Sequence, residues 1–388
     1  MNKSAKTVLK DNTMIIVLVL VYVFFTITTK GSMFWPMNFN ALITQNAYVF
    51  ILACGMLMCI LTGGNIDLSC GSFVCVLGAI GGYLMVIKGM GTGVSILIMV
   101  LIGAIYGCVL GYLIAYVDIP PWIATLAGYL AFRGLGTQIL SSNSSTGSIA
   151  PFPESFLKIF SGKIFATKLN VLNIPCITVG IIAVLVIAFI NFKDRADRVK
   201  KGYEAGSMSS VVGKTAALAV VIMLFSYKLA LAGGIPTVMI WVAVIVLLFQ
   251  FITGKTTIGR HFYVVGGNKE AARLSGIDTR MIMFIAYLNM AVITAITTFT
   301  VMARFQAANS TAGTNYEMDA ISACFVGGAS AYGGSGTVPG MIVGALLIGV
   351  INLGMSLMNI DANLQKVVKG VVLLGAVAFD IISKKKAK

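Results

Sequence analysis

Ser95-Ile96-Leu97-Ile98-Met99-Val100-Leu101-Ile102-Gly103-Ala104-Ile105-Tyr106-Gly107-Cys108-Val109-Leu110-Gly111-Tyr112-Leu113-Ile114-Ala115-Tyr116-Val117 contains no charged side chain. A helix of about 20 mostly apolar residues crosses the hydrocarbon core of a bilayer, so this run is long enough to span one. Working outward, similar runs lie near 14–29, 47–62, 68–87, 121–140, 174–192, 214–231, 235–252, 281–302, 320–337, 338–358 and 364–382. Several are short or broken by glycine. The composition agrees: of 388 residues, 58% are hydrophobic and 11% charged, and the mean hydropathy is +0.94. A soluble domain carries about 25% charged residues. This chain cannot clothe a globular surface in water, which excludes a soluble enzyme and a disordered tail. The expected fold is an all-α polytopic membrane protein. It has about 12 (10–12) transmembrane helices, some glycine-broken, in a single membrane domain over 1–388.

Lys and Arg number 28 against 13 Asp and Glu, a formal net charge of +15. The basic residues fall in clusters between apolar runs, which marks topology and attracts anionic membrane lipid rather than nucleic acid. One cluster is N-terminal (Lys3, Lys6, Lys10) and one C-terminal (Lys384 to Lys388). Loop 193–213 carries Lys193, Arg195, Arg198, Lys200 and Lys201, and loop 253–280 carries Lys255, Arg260, Lys269, Arg273 and Arg280. All four share one side of the membrane only if even numbers of spans separate them. Twelve spans, grouped six, two and four, satisfy that condition. Both termini and both loops are therefore expected in the cytoplasm, and the polar connection 141–173 outside, as a solvated linker or a docking surface. The first run ends at Thr29-Lys30-Gly31 without a small-x-small cleavage site and reads as a retained anchor.

None of the seven cysteines forms a CxxC pair and His261 is the one histidine, so no metal set is expected. Three stretches break the apolar pattern. The first is Leu61-Thr62-Gly63-Gly64-Asn65-Ile66-Asp67-Leu68-Ser69-Cys70-Gly71-Ser72. Broken backbone at membrane depth survives only inside protein or along a wet cavity. There Asp67 either faces a pathway or, with Ser69, caps the next helix. The second runs from Phe325 through Gly327-Gly328 and Gly333-Gly334-Ser335-Gly336 to Gly340. It holds no GxxxxGK[ST] phosphate loop. Gly213-Lys214-Thr215 and Gly254-Lys255-Thr256 fail that pattern too, with Met208 and Phe249 where it needs glycine. ATP would have to be hydrolysed by another subunit. The third is Gly266-Gly267-Asn268-Lys269-Glu270-Ala271-Ala272-Arg273-Leu274-Ser275-Gly276. Here Asn268 can cap a two-turn helix that Gly276 ends. Such a helix either seats in a groove of a cytoplasmic partner or merely joins two spans.

Intramembrane charge is otherwise sparse. Asp118 sits at a span boundary, Arg133 lies within 121–140, and Lys228 and Arg304 lie near span ends, where they can snorkel. This is a thin set for an ion-coupled carrier. No nucleophile stands beside a base and no paired carboxylates appear, so no catalytic residues are assigned.

These residues carry a resemblance. Gly63-Gly64-Asn65-Ile66-Asp67-Leu68-Ser69-Cys70-Gly71-Ser72 resembles the GG-IDLSVGS signature of permease subunits of bacterial monosaccharide ABC importers, with Cys70 where the family has valine. Pro120-Pro121-Trp122-Ile123-Ala124-Thr125-Leu126-Ala127-Gly128, with Phe132-Arg133-Gly134, is similar to its P-FI-TL-G---RG segment. Thr257–Ile277 resembles its cytoplasmic coupling loop, and Glu317 to Ile321, Gly327-Gly328 and Gly333-Gly334 follow in family order. The length and the hairpin at about 214–252 resemble the xylose or multiple-monosaccharide branch. The resemblance implies a multi-pass permease of the bacterial inner membrane that translocates a monosaccharide such as xylose and binds no cofactor itself. Its implied partners are a second permease copy, ABC ATPase subunits that bind ATP and Mg, and a periplasmic or lipid-anchored sugar-binding protein. Asn268, Glu270, Ala271, Ala272, Arg273 and Gly276 would then couple to the ATPase. Gly63, Gly64, Asp67, Ser69, Gly71, Arg133, Gly327, Gly328, Gly333 and Gly334 are the signature or pathway candidates. A branched-chain amino acid ABC permease and an ion-coupled secondary transporter are the alternatives.

Overall fold

The computed structural model describes residues 13–169, 171–203 and 207–385, so the terminal lysines Lys3, Lys6, Lys10 and Lys386 to Lys388 lie outside the described residues. The chain folds into helices joined by short turns. They are α1 (Thr13–Thr28), α2 (Pro36–Leu61), α3 (Cys70–Gly82, prolonged by a π turn to Ile87), α4 (Thr92–Ala115), α5 (Pro121–Asn143) and the short α6 (Glu154–Ser161). Then come α7 (Ile174–Lys200), α8 (Met208–Leu231), α9 (Thr237–Lys255), α10 (Thr257–Gly267), α11 (Lys269–Leu274), α12 (Thr279–Phe305), α13 (Tyr316–Val326), α14 (Val338–Leu357) and α15 (Ala362–Lys385). A 3-10 turn (Ser32–Phe34) and two pairs of two-residue strands complete the elements among the described residues. In one, β1 (Ser148–Ile149) pairs with β4 (Ala308–Asn309); in the other, β2 (Lys163–Ile164) pairs with β3 (Ile235–Pro236), both antiparallel.

Local chemistry sets the helix starts. Proline stands in the first turn of α2, α5, α7 and α14, where its missing N–H costs nothing. Ser207, Thr256, Asp278 and Thr337 accept a backbone N–H at the starts of α8, α10, α12 and α14.

Among the described residues eight helices are long and apolar enough to cross a membrane: α2, α3, α4, α7, α8, α9, α12 and α14. Helix α1 is apolar but has 16 residues. Helices α5 and α15, with 23 and 24 residues, stand outside the eight. Two expected boundaries move. Helix α2 starts at Pro36 rather than near 47; in the added turns Asn38, Thr44 and Asn46 find backbone partners, while Asn40 Oδ1 is buried without one. Asn46 Nδ2 donates to Leu42 O at 2.9 Å, and Asn352 Nδ2 donates to Asn46 Oδ1 at 3.2 Å. The run 320–337 is not one helix. Helix α13 stops at Val326 and the glycine-rich segment 327–337 turns back as a loop. Its 11 residues rise about 16 Å, half the hydrocarbon core.

Direction and packing reveal an internal symmetry. Helices α2 to α5 and α12 to α15 form two sets of four running in opposite senses. The packing matches under that exchange: α4 on α12 as α14 on α2, α3 on α5 as α13 on α15, and α3 on α12 as α13 on α2. In each set the second helix is entered through a non-helical stretch of turns, 62–69 before α3 and 306–315 before α13. Two sets of helices related in this way form an inverted repeat. Helix α2 lies at the centre, nearly all of it buried from Tyr48 to Leu61, while α7 and α8 form a hairpin whose faces are largely exposed. The two strand pairs and α6 mark one end of the molecule; α10 and α11 mark the other.

Candidate functional site

The two turns of α11 are built as the sequence reading expects. Asn268 Oδ1 accepts from the Ala271 N–H at 2.9 Å, and Gly276 ends the element at φ +81°. Side chains then divide by face. Ala272 is fully buried against the body of the protein, while Leu274 is 84% exposed. Glu270 and Arg273 pair at 3.1 Å with both side chains mostly in solvent. The part of α11 that points away from the protein thus carries Lys269, Glu270, Ala271, Arg273 and Leu274.

Immediately before it, backbone meets backbone at three chain crossings. A Cβ on Gly266 would stand 1.7 Å from Leu61 O, one on Gly64 2.0 Å from Ala331 O, and one on Gly333 2.4 Å from Gly63 Cα. Gly334 N–H donates to Leu61 O at 3.1 Å, and Tyr263 Oη donates to Gly336 O at 2.9 Å. Burial pushes the Tyr263 phenol up, so it remains a donor. Four of the sequence candidates, Gly63, Gly64, Gly333 and Gly334, therefore lock the end of α10 that carries α11 to the loops after α2 and α13. Gly327 serves a separate contact, since a Cβ there would lie 2.4 Å from Gly340 O; Gly328 faces open space.

The remaining candidates meet half-way along the molecule, where the starts of α3 and α13 touch. A Cβ on Gly71 would lie 2.4 Å from Gly313 O, and one on Gly313 would lie 1.9 Å from Gly71 O. Asp67 and Ser69 are buried beside them. The cap expected at this point takes another form. Asp67 Oδ1 accepts from both N (2.8 Å) and Oγ (2.6 Å) of Ser69, a turn closed within the loop, and the Ser69 side chain caps no N–H of α3. Tyr106 Oη of α4 donates to Ser69 Oγ at 2.7 Å. Arg133 reaches across from α5, its Nη1 donating to Ser310 O (3.0 Å) and Ala312 O (2.9 Å) of the turns that precede α13. Glu317 Oε2 and Ser72 Oγ are buried here without a hydrogen-bond partner. Glu317 had a usable signal: a carboxylate inside the apolar stretch from 316 to 326. Among the described residues no group of three His, Cys, Asp or Glu side chains could hold a metal ion.

An ion pair between α15 and α13 escaped the sequence reading. Lys369 Nζ of α15 lies 2.9 Å from the buried Asp319 of α13, which also accepts from Tyr48 Oη of α2. Tyr316 stacks on Tyr48 at a centroid distance of 3.7 Å. Removing one member of a buried pair strands its partner, at a cost of about 3–5 kcal/mol. Lys369→Met should therefore lower the unfolding temperature in detergent sharply, and Asp319→Asn added to it should restore part of the loss. An unchanged melting curve for Lys369→Met would show that the pair carries no stability.

Set on this framework, the comparison with known sequences is direct. Residues 38–377 match the family described as branched-chain amino acid transport system, permease component. The chain belongs to this permease family. It is 35% identical over 373 residues to the xylose transport system permease protein XylH of Haemophilus influenzae, covering 96% of each chain. It is 31% identical over 380 residues to XylH of Escherichia coli K12, covering 96% of this chain and 92% of that one. Against the ribose import permease protein RbsC of the same strain it is 28% identical over 375 residues, covering 96% and 94%. No solved structure matches it. The permease is thus of the ABC-importer type, in the branch that holds the xylose and ribose proteins.

Proposed function

We propose that this permease is the membrane path of an ATP-driven importer for a monosaccharide such as xylose. The likeness to XylH along nearly the whole of both chains supports the sugar. One structural observation supports the coupling: α11 presents Glu270, Arg273 and Leu274 outward while Ala272 anchors it, and the glycine crossings lock its base to α2 and to the loop after α13. A partner ATPase that closes on this helix transmits its movement through that lock to the α2 and α13 bundle, which is how alternating access is driven here.

In this reading the chain crosses the inner membrane twelve times as one permease domain, with the non-helical stretches 62–69 and 306–315 as the unwound parts of two broken spans. The α10–α11 loop, 253–280, faces the cytoplasm with both termini, and 141–173 faces outward as a docking surface for a sugar-binding protein. Clustering of Arg280 beside Asp118 at 3.4 Å, at the α10–α11 end, fits the charge rule. Two copies enclose the path.

The test is uptake of radiolabelled xylose by cells carrying the complete importer. Uptake should follow cellular ATP, resist a protonophore, and be displaced by unlabelled xylose but not by leucine. Displacement by leucine would favour a branched-chain amino acid permease instead, and uptake that survives ATP depletion but not the protonophore would favour an ion-coupled carrier.

A further inference from the structure

Helices α7 and α8 pack mainly on each other and leave most of their surface exposed. Two contacts join them. Asn191 Nδ2 of α7 donates to Thr215 Oγ1 of α8 at 3.1 Å, and Gly180 packs so closely that a Cβ there would stand 2.2 Å from Ser226 Oγ. Beyond the Asn191 contact the helices enclose a cleft of about 320 Å³. Asn191, Asp194, Arg195 and Arg198 line one wall, at the spacing of a single helix face, and Ser210 and Lys214 of α8 line the other. Three cations against one carboxylate leave this lining at +2. Among the described residues neither Arg198 nor Lys214 has an ion-pair partner. Like charges on facing walls repel, and an anion placed between them turns that repulsion into attraction.

Depth can be read from helix rise. Asn173, just before α7, donates to Phe165 O, and Thr167 N–H donates to Gly233 O, so α7 starts beside the β2–β3 pair. Asn191 and Arg198 are its eighteenth and twenty-fifth residues, about 26 and 36 Å along it. The cleft therefore straddles the far edge of a hydrocarbon core about 30 Å thick, at the α10–α11 end. Toward the core from it the exposed side chains are apolar: Leu185, Val186 and Phe189 on α7, and Leu218, Val221 and Leu224 on α8. Ser210 lies in the first turn of α8, the end of a helix that favours negative charge.

We propose that the cleft between α7 and α8 binds the phosphate of an anionic glycerophospholipid, whose acyl chains lie along the apolar sides of the two helices. Arg198 and Lys214 bring charge from opposite walls, and Ser210 adds a hydroxyl donor. A guanidinium forks onto two phosphate oxygens, while an ammonium acts as a point charge. Cations and exposed apolar side chains meet along one hairpin here, and that combination suits a lipid better than free phosphate, which has no use for Leu218 or Phe189. Lys200 and Lys201 are exposed outside the cleft and feel only the general field of the leaflet. The bound headgroup ties α7 to α8 at the end where the Asn191 contact stops.

The experiment is native mass spectrometry of the full-length permease in detergent, titrated with phosphatidylglycerol or with zwitterionic phosphatidylcholine. Arg198→Gln combined with Lys214→Gln should weaken phosphatidylglycerol binding at least about tenfold, with phosphatidylcholine adducts and the melting temperature unchanged. Lys200→Gln combined with Lys201→Gln removes the same charge from outside the cleft and should weaken it less than about threefold. The exchange Arg198→Lys with Lys214→Arg keeps both charges and should keep the lipid. Equal losses in the two glutamine pairs would overturn the site in favour of diffuse attraction to the leaflet. Displacement of phosphatidylglycerol by millimolar inorganic phosphate would assign the cleft to free phosphate and overturn the lipid. A second measurement needs no variant: in the parent protein phosphatidylglycerol, but not phosphatidylcholine, should shield Lys214 from amine acetylation while Lys200 stays reactive. Acetylation of Lys214 at the same rate with and without the lipid would also overturn the proposal.

Discussion

Glu270→Ala should leave a folded, membrane-inserted permease that takes up sugar at least tenfold more slowly, with the ATPase partner lost or running uncoupled. The expectation follows from where the side chain sits. Glu270 and Arg273 are both mostly in solvent, and an exposed pair of this kind is worth about 0–1 kcal/mol to folding. Removing it changes the melting temperature little. Buried in the groove of a partner, the same carboxylate becomes one side of a desolvated polar contact, and truncating it costs about 2–5 kcal/mol, or roughly thirtyfold and upward in affinity. Leu274→Ala should act in the same direction, because an 84% exposed leucine contributes nothing to the isolated chain. Ala272→Glu fails differently: a buried position receives a charge, so α11 lifts from the body and the melting temperature falls as well. Uptake and ATPase activity measured side by side, with a thermal melt as the control, separate these cases. Wild-type uptake by Glu270→Ala would end the coupling role assigned to α11.

The sequence made α11 legible because its signals are local. Asn268 caps three residues ahead, Gly276 stops the helix at positive φ, and both act within two turns. The long apolar helices were legible for a similar reason, since length and hydropathy are properties of a single segment. What escaped was whatever depends on partners distant in sequence. Helix α2 extends eleven residues beyond its apolar run, and there Asn46 finds Leu42 and Asn352. The charge of Lys369 reads as an imperfection in a span until Asp319 and Tyr48 are brought to it from α13 and α2. The inverted repeat is invisible in composition, because its two sets share direction and packing rather than pattern. Asp67 was read as a cap or a pathway residue; its bonds to Ser69 close a turn, and its position beside Gly71, Gly313 and Glu317 places it at the waist of the fold.

That waist makes the second strong prediction. Gly313→Ala should abolish assembly of the permease, leaving little or no folded protein in detergent and no uptake. Gly313 holds φ +74°, where any side chain is strained, and a methyl group there would stand 1.9 Å from Gly71 O and 2.9 Å from the Gly71 carbonyl carbon. Both obstacles are backbone and cannot swing aside. Relief would require α3 to part from the 306–315 segment. That movement would pull Arg133 from Ser310 O and Ala312 O and leave both carbonyls bare at membrane depth. Strain, overlap and lost hydrogen bonds act together, so the cost exceeds about 4 kcal/mol, beyond what most single substitutions reach and comparable to the total stability of many domains. Gly213→Ala supplies the contrast. That glycine lies inside α8 with open space around it, and alanine there should raise stability by about 0.5–1 kcal/mol through helix propensity alone. Size-exclusion profiles and thermal melts of the two variants therefore move in opposite directions. A Gly313→Ala protein that elutes and melts like the parent would mean that the starts of α3 and α13 do not meet at these two residues.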